Sequence, residues 1–191
     1  MPKKALPFIC LFLLFLMAAS CSASSVSRSF SKATAYMDES IMVNLTVSIT
    51  SGETFYAIDE NYPSGWEIIS TTGNFSQLGH VKWVVAENAV NTTHSYTIKI
   101  PMQPGTHTFS GIYMFENMIA EATISGSSQV TVIAQGDIDG NSCVDIGDLA
   151  AIGLDFGKTS GFADPDSDIN KNGSVDIFDL VVVGKEFGAG C

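Results

Sequence analysis

The chain has 191 residues, 20 acidic against 9 basic side chains, a formal charge of −11 and 46% apolar residues. A chain this acidic has no electrostatic footprint for nucleic acid. Beyond its first 20 residues, no apolar run is long enough to cross a bilayer as a helix, and the length suits one ordinary domain or two small ones.

Residues 1–20 read MPKKALPFICLFLLFLMAAS. Two lysines, an apolar run and small residues make a secretory leader, so the protein is expected outside the cell or at its surface. Cys10 falls inside the leader. Cys21 follows Ala18-Ala19-Ser20, which resembles the lipobox of bacterial lipoproteins, with Ala18 where that pattern prefers Leu. Two outcomes stay open: cleavage near Ser20 or Ala23, or lipidation of Cys21 with Ser22 to Ser31 as a tether. Membrane contact is expected only through such an anchor.

From residue 28 to 134 the pattern has period two. Val43, Leu45, Val47 and Ile49 alternate with polar partners, and similar runs cover Val81–Val85, Tyr96–Ile100, Thr108–Phe115, Met118–Ile124 and Gln129–Ile133. Turn residues separate them, as at Pro63-Ser-Gly65 and Pro104-Gly105. Seven or eight short strands predict an antiparallel β-sandwich. Trp83 is in phase with Val81 and Val85 and is expected in the core, whereas Trp66, beside a turn, fits the core and a ligand face equally. The stretches Tyr62–Ile68 and Ile100–Gly105 resemble those of immunoglobulin- and fibronectin-III-like modules, which implies a spacer or binding module. His80, His94 and His107 have no metal-protease spacing, and no G-x-S-x-G is present. Glu60, Glu67, Glu87, Glu116 and Glu121 are read as isolated surface carboxylates, so no enzyme is expected.

The last 55 residues carry 11 acids and 3 bases, and ten of those acids are Asp. They contain a duplication with an offset of 31. Asp137-Ile-Asp-Gly-Asn-Ser-Cys-Val-Asp-Ile-Gly-Asp148 aligns with Asp168-Ile-Asn-Lys-Asn-Gly-Ser-Val-Asp-Ile-Phe-Asp179, identical at seven of twelve positions. Hard cations take six to eight oxygens, and a twelve-residue EF-hand loop supplies them from positions 1, 3, 5, 7, 9 and 12. Here those are Asp137, Asp139, Asn141, the Cys143 carbonyl, Asp145 and Asp148, then Asp168, Asn170, Asn172, the Ser174 carbonyl, Asp176 and Asp179. Two Ca²⁺ ions are the expected cofactors. Position 6, where the turn wants glycine, is Gly173 in the second loop but Ser142 in the first. Val144 and Val175 occupy position 8, where an apolar side chain can join the loops. Cys143 and Cys191 share an oxidising compartment and are a candidate disulfide.

Each loop runs into a helical stripe, Leu149, Ile152, Gly153 and Phe156, then Leu180, Val183, Gly184 and Phe187, with the glycines expected at a close helix approach. No helix precedes either loop. Two loops with one exiting helix each resemble a dockerin, the calcium-dependent module that plugs into cohesins of cellulosomes, over residues 136–191. That resemblance implies a cohesin partner met at loop positions 10 and 11, here Ile146, Gly147, Ile177 and Phe178, extended by Leu154, Val181 and Val182.

Together these features predict a multidomain protein: a leader over 1–20, an all-β sandwich over 28–134 and a small all-α dockerin over 136–191 with two EF-hand-like calcium loops. Its expected work is that of a secreted or anchored adaptor docking onto a cohesin. The alternative is a polysaccharide-binding or -degrading component delivered to a complex by its dockerin.

Overall fold

A computed structural model describes residues 23–50 and 52–191. The leader, Cys10 and the lipidation reading of Cys21 lie outside the described residues.

The strands are β1 (Ser25–Phe30), β2 (Thr34–Tyr36), β3 (Ser40–Ser48), β4 (Tyr56–Asn61), β5 (Glu67–Thr71), β6 (Phe75–Gln77) and β7 (His80–Val85). They continue with β8 (Thr92–Lys99), β9 (Gly105–Thr108), β10 (Ser110–Phe115), β11 (Ala122–Thr123), β12 (Ser125–Gly126) and β13 (Gln129–Ile133). Two five-stranded sheets, ordered β12-β1-β3-β8-β5 and β11-β10-β4-β7-β6, face each other, and a three-stranded sheet β2-β13-β9 closes one side.

The period-two runs bury their apolar members between the sheets. In β3, Ile41, Val43, Leu45 and Val47 point inward while Met42, Thr46 and Ser48 face out. Trp83 is 1% exposed and Trp66 is equally a core residue, set edge-on to Phe109 and His107. Four expectations need correction. The serine-rich stretch read as a tether is strand β1, because Val26 and Arg28 alternate inward among its serines and pair it with β3. The run Thr108–Phe115 is two strands: Phe109, 1% exposed, anchors the chain as it leaves β9 in the small sheet for β10 in the second sheet. Within Met118–Ile124 only β11 survives, with a turn before it.

The fourth correction concerns Glu60. It is fully buried on β4, in phase with Tyr56 and Ile58, and its carboxylate accepts a two-armed bond from Arg28 on β1, both arms 2.7 Å. Tyr96 donates a third bond to Glu60 Oε1 at 3.1 Å. This ion pair bridges the two sheets through the middle of the core. Burial raises the Tyr96 phenol far above its usual range, and the Glu60 carboxylate beside it adds to the rise, so Tyr96 stays a donor.

Helices α1 (Ile146–Asp155) and α2 (Ile177–Glu186) are ten residues each, separated by a one-turn 3₁₀ segment at Pro165–Ser167. The fold class expected from the sequence is therefore corrected. The protein is mostly β, and residues 136–191 are not a separate all-α module. Their buried apolar set is six residues, Ile138, Val144, Ile152, Ile169, Val175 and Val183, and Ala134 and Ala189 pack against both this cluster and the sandwich core. So small a cluster buries too little to stand alone and leans on the end of the sandwich. Lys185 on α2 pairs with Asp38 in the β2–β3 turn, where Lys99 joins from β8. Asp38 is held at about 2 by those two ammonium groups.

Candidate metal centre

β13 runs almost directly into the first Asp-rich loop, so the strand's hydrogen-bonded register fixes where that loop begins. Asp145 and Asp176 cap the two helices, accepting from Gly147 N–H at 2.6 Å and Phe178 N–H at 2.8 Å. Asp148 and Asp179, three residues on, accept in return from the N–H groups of Asp145 and Asp176, both at 2.8 Å. These are reciprocal capping boxes with Asp in the place of the usual Glu. The other oxygen of each terminal Asp reaches the loop entrance, accepting from Ile138 N–H at 2.7 Å and from Asn170 N–H at 3.1 Å. In each loop the terminal Asp thus ties the start of the exiting helix back to the loop entrance.

Side chains at positions 3 and 5 fold the loop by bonding backbone two residues on, as Asn141 does to Cys143 N–H and Asn172 to Ser174 N–H. Ser142 stands at φ 72° and Gly173 at φ 90°, so position 6 takes the left-handed conformation in both loops, at a cost for the serine. Carboxylate oxygens of Asp137, Asp139 and Asp148 lie within 4.8 Å of one another. Asp137 Oδ2 accepts from Ser142 N–H at 3.0 Å, while Oδ1 is buried with no hydrogen-bond partner among the described residues. A Cβ on Gly147 would press on Asp145 Oδ1 and Asp139 Oδ2, at 3.0 and 3.1 Å. A buried orphan oxygen among converging carboxylates, with a glycine leaving them room, fits a hard cation with oxygen ligands.

The repeats exchange their ends. Val144 of the first loop donates its N–H to Ala189 and accepts from Gly188, both beyond α2. Val175 of the second loop donates to Lys158 and accepts from Gly157, both beyond α1. Buried Glu186 on α2 accepts from Gly136 N–H at 2.7 Å, at the entrance to the first loop. Its counterpart Asp155 on α1 accepts from Ala163 and Asp164 N–H at 2.7 and 2.9 Å, at the approach to the second. Those N–H groups, and then the Lys158 ammonium, hold the Asp155 carboxyl well below the usual carboxylate range. Burial pushes the Glu186 carboxyl up instead. The two position-8 valines are therefore joined through the opposite repeat's exit segment, not merely to each other. Cys143 and Cys191 are linked by a disulfide, Cα atoms 4.7 Å apart.

The residues read as a partner face separate. Ile146, Leu154, Ile177, Phe178 and Val181 are exposed, Phe178 at 67%, while Val182 packs into the small core and Gly147 faces the carboxylates. The expected core stripe shifts as well. Phe156 and Phe187 are exposed helix ends, and the inward positions after Ile152 and Val183 are the acids Asp155 and Glu186. Gly153 and Gly184 touch nothing where a Cβ would stand. The close approach belongs to Gly136, whose Cβ would meet the Val183 backbone at 3.0 Å.

No protein-family profile matches the sequence and no curated protein matches it. Among solved structures, the chain is similar to the sixth cohesin of scaffoldin B from Acetivibrio cellulolyticus, solved with a Cel5 dockerin: 12% identity, 58% of this chain against 99% of that one, TM-score 0.44. It is similar to a non-cellulosomal cohesin from the archaeon Archaeoglobus fulgidus at 10% identity, 60% against 94%, TM-score 0.46. It is also similar to the human F-spondin reeler domain at 13% identity, 56% against 90%, TM-score 0.37. Identities this low concern the shape of the sandwich alone. The chain's own fold, three β-sheets with two ten-residue helices packed against the end of the sandwich, overturns the dockerin resemblance, the immunoglobulin- or fibronectin-III-like assignment of the sandwich, and the dockerin-mediated adaptor with a cohesin as its partner.

Proposed function

We propose that the protein is an extracellular binding module, not an enzyme, in which a cohesin-like sandwich is braced at one end by two Ca²⁺ ions held in loops 137–148 and 168–179. The carboxylate cage carries this reading: Asp137, Asp139 and Asp148 converge, Asp137 Oδ1 is buried with no hydrogen-bond partner among the described residues, and the capping geometry repeats in the second loop. Asp137, Asp139, Asn141, Asp145, Asp148 and the Cys143 carbonyl would hold the first ion; Asp168, Asn170, Asn172, Asp176, Asp179 and the Ser174 carbonyl would hold the second. Bound Ca²⁺ supplies positive charge to a segment rich in Asp, and the chain's own residues fix the loops against β13 and against each other's helices. The disulfide supports an oxidising compartment. Calorimetric titration of the full chain tests the reading, with two Ca²⁺ per chain expected. Uptake of none overturns it.

For the partner, we propose a small protein module of the dockerin kind received on the outer face of sheet β11-β10-β4-β7-β6. The face itself supports this: Phe75 and Val84 stand exposed on neighbouring strands. A shallow cleft of ≈ 180 Å³ beside them is lined by Ala57, Ile112 and Met114 and rimmed by Asp59, Lys82 and Glu121. An apolar strip with a charged rim is how a protein-binding face is built. Binding to a panel of purified dockerins is expected for at least one member and lost in the Phe75→Asp, Val84→Asp variant. No binding across the panel, or binding untouched by that variant, rejects the assignment.

A further inference from the structure

The two loops match in caps, Asx turns and exchanged ends, and differ in one covalent feature. Position 7 of the first loop is Cys143, bonded through sulfur to Cys191; position 7 of the second is Ser174, whose hydroxyl donates to Asn172 at 2.8 Å. The disulfide sits at the residue whose carbonyl is an expected ligand. It also runs parallel to the clasp in which Val144 meets Ala189 and Gly188, at 2.9 and 2.8 Å. The first loop has the greater need of a staple. Backbone strain is matched: Ser142 at position 6 of the first loop stands at φ 72° and Lys171 at position 4 of the second at φ 55°, each opposite a glycine in the other loop, and each costs about 1 kcal/mol or more. Charge is not matched: the first loop concentrates four carboxylates, against three in the second, and their mutual repulsion opposes closure without an ion. Cys191 is exposed and Cys143 half-buried, so the bond is open to a small reductant.

We propose, resting on the calcium reading above, that the Cys143–Cys191 disulfide makes the first loop a redox-gated Ca²⁺ site and leaves the second loop insensitive to redox state. A dithiol reductant breaks the Sγ–Sγ bond with two electrons, one proton goes to each sulfur, and the dithiol is left as its own cyclic disulfide. Reduction removes the covalent hold on position 7. The clustered carboxylates then favour an opened loop in the absence of metal, and Ca²⁺ binding must reverse that opening. Preorganisation of ligands by groups outside the coordination shell is typically worth 10- to 100-fold in metal affinity, and a shift of about tenfold or more is expected here.

The test uses the full chain in two single-site forms, Asp168→Asn to silence the second loop and Asp137→Asn to silence the first. Each is titrated calorimetrically with Ca²⁺, oxidised and after dithiothreitol. In the Asp168→Asn form, reduction is expected to weaken binding about tenfold or more; in the Asp137→Asn form it is expected to change nothing. The Cys143→Ser, Cys191→Ser chain, carrying the same Asp changes, should reproduce the reduced result without any reductant. Unchanged affinity in the reduced Asp168→Asn form overturns the proposal and leaves the calcium reading standing. Equal weakening of both loops also overturns it, because the staple would then act on the whole fold. If the oxidised wild type takes up no Ca²⁺, the calcium reading itself fails and this inference with it.

Discussion

Replacing Glu60 with Gln changes one atom of a side chain that has no contact with solvent. The glutamine can still bond Tyr96 and one arm of Arg28, so shape and most hydrogen bonds survive. What goes is the charge that compensates the Arg28 guanidinium, which is 3% exposed and, among the described residues, reaches otherwise only the Ser127 carbonyl at 3.0 Å. Breaking a buried pair by removing one partner costs about 3–5 kcal/mol, a large part of the 5–15 kcal/mol that typically separates folded from unfolded chains. At a urea m-value of about 2 kcal/mol/M, the unfolding midpoint should fall by roughly 2 M. Removing both charges, as Arg28→Met with Glu60→Leu, should restore part of that loss. The residue left over is the orphaned Tyr96 hydroxyl, worth about 1–3 kcal/mol. Urea unfolding of the three chains, followed by tryptophan fluorescence from Trp66 and Trp83, reads all of this. A Glu60→Gln midpoint within about 0.3 M of wild type, or a double variant as weak as the single, refutes the argument that the bridge depends on compensated charge.

Three further outcomes follow from the C-terminal segment. Ca²⁺ at about 100 times its dissociation constant should add about 2.7 kcal/mol per site, so calorimetry should show a higher melting temperature that chelator reverses. Gly190→Ala places a Cβ against the Ser142 carbonyl at a backbone φ of 80°, and Ca²⁺ titration should show the first loop weakened and the second intact. Asp38 is depressed from 3.8 to about 2; the stabilising tie to Lys185 and Lys99 is therefore present above about pH 4 and lost as pH falls through about 2. Carboxyl NMR should place its midpoint there, and a midpoint near 3.8 contradicts the pairing.

The strands that were legible in the sequence are those whose inward residues are all apolar. Val43, Leu45 and Val47 announce β3, and Trp83 between Val81 and Val85 announces β7. β4 was hidden because its inward row is Tyr56, Ile58 and Glu60, and a carboxylate at an inward position reads as a break in the pattern. Its partner hides β1 in the same way, with Arg28 following Val26 among serines. Only the pairing of the two charges makes each position tolerable, and pairing between residues 32 apart is a property of the folded chain. The metal loops were legible at the level of single residues, since their ligand spacing is local. Their surroundings were not. The helical stripe places Phe156 and Phe187 inside, but each helix ends one residue earlier and turns out at an extended residue followed by a left-handed glycine, Gly157 or Gly188. An exit of that kind is dictated by the opposite repeat, which no periodicity within one repeat can display.

That exchange of ends makes the two halves of the duplication obligate companions. A single repeat, excised, would lack the strand-like partner for its own position-8 valine and the acid that anchors its own entrance. It therefore has no route to a finished loop except by meeting another copy. Two such excised halves should pair to complete each other, because neither loop at this end of the protein is finished without the other repeat.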